Sequence, residues 1–315
     1  MRFPVFKALG ASFAYLGAHF LTFLKLVWLP AALLTGVMAY AMPQMMDAQM
    51  QMLAIEESGD PNEIFSVLGP IAKTSGLIFL ASLVLYPMLI AGVLKHIIRG
   101  DAPRMPFYLS FGGDELRLLL AYILLIVIVS IVAIAAMLGM TVLIAVLSVA
   151  AGAVPGEIAG AAFGLLMLAI IVAAIWFALR MSLIFPAAVG ARSIGIGETW
   201  EATKDATIGL FFYWLVWMIF LAVLSTPVSL MMAGGFFSVF GEYFAAVMVD
   251  PSAAERLGEE FERRMLEAQA GMWDRSSAGF YLVLFATWLS LVIQYGLTSV
   301  AGGVAWRYLT GDERG

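Results

Sequence analysis

From Leu118 to Ala151 the chain carries no charged residue. No water-soluble fold readily buries such a run. As one α-helix it would rise roughly 50 Å, well beyond the ~30 Å hydrocarbon core of a bilayer. Gly139 is its only turn-forming residue, and two short spans would need a polar turn. The stretch therefore reads as one long helix that tilts or projects from the membrane.

The rest of the chain agrees with that solvent. Of 315 residues, 63% are apolar and 12% charged, and the mean hydropathy is +0.97. Soluble domains run ~45–50% apolar and ~25% charged, so a globular soluble protein and a disordered chain are both excluded. Six apolar stretches lie near 20–42, 76–98, 117–149, 158–189, 208–233 and 278–305. The first is too long for a signal-peptide core and is interrupted by Pro30, so it reads as a retained span. The expectation is an all-α fold, a polytopic transmembrane helical bundle of about six spans. Residues 1–315 form a single membrane domain of three hairpins.

Twelve of the 17 Lys and Arg fall on the side that holds both termini, and the long loops 43–75 and 234–277 lie opposite. The positive-inside rule puts the basic side, and both termini, in the cytoplasm. Each hairpin follows a short amphipathic stretch: Phe3 to Phe20, Met105 to Leu116, and Ile194 to Asp205. Such stretches suit the interface plane. In the loops, Asp60-Pro61-Asn62-Glu63 and Asp250-Pro251-Ser252-Ala253-Ala254-Glu255 read as helix starts. The second opens an amphipathic helix over 252–273, either a solvated connector or a docking face for a partner.

Chemistry-bearing motifs are scarce. The chain has no cysteine and no phosphate-binding glycine loop, zinc-protease motif or serine nucleophile elbow. No catalytic residue, metal site or cofactor is assigned. His19 and His96 are placed near the cytoplasmic interface. Asp114, Glu115, Glu198, Glu201 and Asp205 read as helix-end caps and solvated surface.

Charge within spans is more informative. Lys25 and Arg180 either snorkel to the headgroups or line a cytoplasm-facing cavity. In the second case they, with Arg104 and Arg117, are candidates to hold a lipid phosphate or another anion. Gln294, deep in the last span, is expected to hydrogen-bond a neighbouring helix or touch a substrate. Pro30, Pro87 and Pro227 are expected to kink their spans, which would leave room for a cavity. Gly156, Gly160 and Gly164, four apart, suit close helix contact. Met38, Met42, Met45, Met46, Met50 and Met52 suit apolar packing better than copper.

The segments Pro106–Leu118 and Arg180–Ala188, with Gly195-Ile196-Gly197-Glu198-Thr199-Trp200 after them, resemble an uncharacterised bacterial inner-membrane protein family. That family in turn resembles the membrane domain attached to some glycerophosphodiester phosphodiesterases. The resemblance implies a membrane module without the catalytic barrel and supplies no catalytic residues. The resulting expectation is a non-enzymatic protein of the bacterial inner membrane that supports envelope or lipid homeostasis, binding an anionic lipid in a cytoplasm-facing cavity. The alternatives are a small-solute or lipid transporter and a membrane-embedded enzyme. Expected partners are membrane lipids, another membrane protein or a second copy, and no nucleic acid.

Overall fold

A computed structural model of the chain describes residues 3–58, 61–101, 111–150, 156–250 and 253–311. Among these residues there are helices and short connections and no strand. The long helices are α1 (Val5–Ser58), α2 (Pro61–Arg99), α3 (Gly113–Ala150), α4 (Gly156–Met181) and α7 (Thr207–Val249). Two short helices, α5 (Ile184–Gly190) and α6 (Ile196–Ala202), lie between the last two. After α8 (Ala253–Met272), the last span is built from α9 (Ala278–Leu291), a π-helical turn (Val292–Leu297) and α10 (Thr298–Thr310). Among the described residues, six helices are long and apolar enough to cross a membrane: Val5–Met52, Phe65–Arg99, Gly113–Val142, Phe163–Gly190, Thr207–Ala233 and Ala278–Thr310. The protein is a multi-pass, all-helical membrane bundle.

From Leu118 to Ala150 the uncharged run lies in one unbroken helix, α3, of 38 residues. Other helices exceed the bilayer by more. Residues 20–58 of α1, after a break at His19, would rise about 60 Å and the 43 of α7 about 65 Å. The expected loops 43–75 and 234–277 are therefore largely helical, because the spans continue past their apolar cores. α2 begins at Pro61, where Pro fits a first helical turn.

The core joins α1, α2, α7 and the last span. Phe23, Leu26 and Leu34 of α1 meet Leu89 and Val93 of α2, Tyr213 and Trp217 of α7, and Val300 of α10. Between membrane helices no hydrophobic force discriminates protein from lipid, so close packing and buried hydrogen bonds carry association. Both are present. A Cβ added at Gly296 would lie 2.8 Å from Phe23 Cζ, and one at Gly303 3.1 Å from Ile97 Cγ2. Tyr213 donates its hydroxyl to the Ala301 carbonyl at 2.8 Å and lies 2.9 Å from Ser12 Oγ. α3 packs on α2 and α5, whereas α4 packs on α6 and α7. The arms of the middle hairpin thus rest on different partners.

Other sequence candidates fall at these places. Pro30, Pro87 and Pro227 lie inside continuous helices, and the non-helical residue in α1 is His19 (φ −121°, ψ 20°). Gln294 is exposed and makes no interhelical bond among the described residues. It lies in the π turn, whose extra residue rotates the register that a plain α-helix would give. Gly164 has open space where a side chain would stand, because its end of α4 lies away from neighbours. For Gly156 and Gly160 only the backbone is described. Met38, Met42, Met45 and Met46 pack with Trp273 and Phe280.

Pro43 shows how a lost donor is compensated. It cannot donate to the carbonyl four residues back, and Arg275 reaches across to donate to Ala39 O at 3.4 Å and Tyr40 O at 3.2 Å. Beside Arg275, the Ser276 N–H and hydroxyl hold the Asp274 carboxylate below its usual range. Ser277 then caps α9 by accepting from Phe280 N.

Candidate functional site

The first and last described residues lie at one end of the bundle, termed here the terminal end. There, α2 closes and α3 opens around an ion-pair network. Arg99 binds Asp114 through two bonds of 2.7 and 3.0 Å and also donates to the Val189 carbonyl. Lys95 lies 2.8 Å from Glu115 and 3.4 Å from Asp114. Glu115 is fully buried, and its second oxygen accepts from Gly112 N at 2.9 Å. Arg117, a candidate anion ligand, instead pairs with Asp114 one turn earlier, at 2.9 Å. These carboxylates are structural clamps between helices rather than solvated caps.

Next to this clamp lies a broad trough of about 1570 Å³. One wall is α1 before its break. Lys7, Ala11, Ala14 and Ala18 all line it, and steps of four, three and four place them on one helix face. Alanine there leaves space that a larger side chain would fill. Lys7 and His19 are about 18 Å apart along the helix. The opposite wall comes from the end of α2, the loop after α5, and the end of α10. It contributes Arg99, Arg192 and Arg307, with Asp101 as the carboxylate among the lining residues. Arg192 has a left-handed backbone (φ 56°), a conformation costing a non-glycine residue roughly 1 kcal/mol or more. The loop that holds it is fixed by Gly195 (φ 87°), whose absent Cβ would lie 2.8 Å from Ala188 N.

Where α1 breaks, three side chains meet. Tyr15 Oη is 2.7 Å from His96 Nδ1. The His19 and His96 ring centroids are 5.3 Å apart, and Tyr15 and His19 are 5.0 Å apart. A Tyr15 hydroxyl donating to Nδ1 leaves the His96 proton on Nε2. Both imidazoles line the trough. No group of three or more His, Asp or Glu suited to a metal ion occurs among the described residues. Cations and imidazoles at one end of a membrane bundle suit an anion.

The other sequence candidates lie elsewhere. Lys25 is exposed on the outer surface of α1 and does not line the trough, because the break at His19 separates the two parts of that helix. Arg180 does not snorkel. It is buried, with its guanidinium 4.3 Å from the Trp200 ring centre and 5.9 Å from that of Trp176. It joins α4 to α6 by a cation–π contact, worth about 2 kcal/mol when desolvated. Its Nε has no hydrogen-bond partner. Arg104 lies outside the described residues. The histidine pair was not legible from spacing, since its members come from different helices. No family model, curated protein or solved structure matches this chain.

Proposed function

We propose that this protein binds an anionic lipid by its phosphate headgroup in the basic trough, without transforming it, at the cytoplasmic face of a bacterial inner membrane. The observation that carries the reading is the convergence of Lys7, Arg192 and Arg307 on one open trough at the terminal end, where Arg99 is held by Asp114 and Asp101 is the carboxylate in the lining. The excess of Lys and Arg on that side supports a cytoplasmic orientation. Basic side chains at headgroup depth attract anionic lipid by about 1 kcal/mol each. The resemblance to a membrane domain found beside glycerophosphodiester hydrolysis fits a module that works next to phosphate headgroups.

Native mass spectrometry of gently extracted protein tests this reading. Wild-type protein is expected to retain an anionic phospholipid at a fixed ratio. The Lys7→Gln/Arg192→Gln variant should retain at least tenfold less, because about 2 kcal/mol of attraction is removed. Lys25→Gln should behave as wild type. Equal retention by wild type and the double variant would overturn the reading.

A further inference from the structure

We propose that the Tyr15–His19–His96 cluster selects the headgroup, favouring a phosphate monoester over a phosphodiester. The inference rests on the trough as a phosphate site and deepens it by naming the class of phosphate. A diester headgroup carries one negative charge and two terminal oxygens. A monoester carries up to two charges and three terminal oxygens, and so can use more donors and more positive charge.

The geometry of the cluster fits the second ligand. His96 is oriented by Tyr15 at 2.7 Å, which leaves Nε2 for a ligand. His19 stands 5.3 Å away, ring centre to ring centre, at the break in α1. A neutral imidazole can still donate one N–H to a phosphate oxygen. Two rings this close, beside the cations of the trough, offer more donors than the two terminal oxygens of a diester use, and a monoester supplies a third acceptor. The surrounding groups act in the same direction. Lys7 lies on α1, Arg99 and Asp101 at the end of α2, Arg192 after α5, and Arg307 and Tyr308 on α10. The alanine face between Lys7 and His19 gives the headgroup room to reach the cluster.

The test compares full-length protein in nanodiscs containing phosphatidic acid with protein in nanodiscs containing phosphatidylglycerol at equal mole fraction. Retained lipid is counted by mass spectrometry after extraction. Wild type is expected to retain at least fivefold more phosphatidic acid. His19→Gln/His96→Gln should lose most of the preference. Tyr15→Phe, which keeps the ring and removes the hydroxyl, should reduce the preference partly. Inorganic phosphate in excess separates the two sources of the group. Displacement of phosphatidic acid by it would assign the site to the free ion, and persistence of the lipid would assign it to the headgroup. Equal retention of both lipids by wild type, or an unchanged preference in the histidine double variant, would overturn the inference and leave the trough as a general anionic site. Retention of neither lipid would overturn the underlying reading as well.

Discussion

Glu115→Ala is expected to destabilise the bundle by about 3–5 kcal/mol, the range for removing one partner of a buried ion pair. The Glu115 carboxylate is fully buried, with one oxygen on Lys95 and the other on Gly112 N. Removing it takes the acceptor from the Gly112 N–H at the start of α3 and weakens the compensation of the Lys95 ammonium, which still has Asp114 at 3.4 Å. The expected readout is loss of the monodisperse peak and early unfolding in mild detergent. Glu115→Leu combined with Lys95→Met removes both charges and should recover much of the loss. A Glu115→Ala variant as stable as wild type would show that the clamp does not hold α2 to α3.

Gly195→Ala should have an effect of similar size, about 2–4 kcal/mol. Two causes act together. Residue 195 adopts φ 87°, where an alanine is strained, and its new Cβ would lie 2.8 Å from Ala188 N and 3.2 Å from Ala188 Cα. Those are backbone atoms of α5 and cannot rotate away. Because the same loop carries Arg192, lipid retention should fall along with stability. Gly197→Ala is the matched comparison. It lies in α6 with open space around it, and alanine there should be neutral or stabilising by up to about 1 kcal/mol. Equal thermal stability of the two variants would contradict this account of the loop.

The parts of the fold governed by solvent were legible in the sequence. The uncharged run had to be helical and membrane-embedded, and it is α3. Pro61 marked the start of α2 because proline fits a first helical turn. The site was less legible because it depends on contacts between distant segments. Lys25 and Arg180 stood out as charges in spans, but charge alone does not give a direction. Lys25 points outward, and Arg180 is enclosed by Trp176 and Trp200. Gln294 was misplaced because hydropathy does not reveal a π turn. The trough depends on alanines at 11, 14 and 18, which are also ordinary helix formers, and on a break at His19 with no proline or glycine at that residue. Its far wall comes from residues near 100, 192 and 307.

The chain has two histidines, His19 and His96, and both line the trough. Histidine labelling with ¹⁵N therefore reports on that site alone. The most direct measurement is ³¹P–¹⁵N dipolar recoupling by solid-state NMR on labelled protein in bilayers that contain an anionic phospholipid. A phosphate headgroup in the trough predicts clear dephasing of the imidazole nitrogens by phosphorus, reduced in Lys7→Gln/Arg192→Gln. Absence of dephasing in wild-type protein would contradict the central claim.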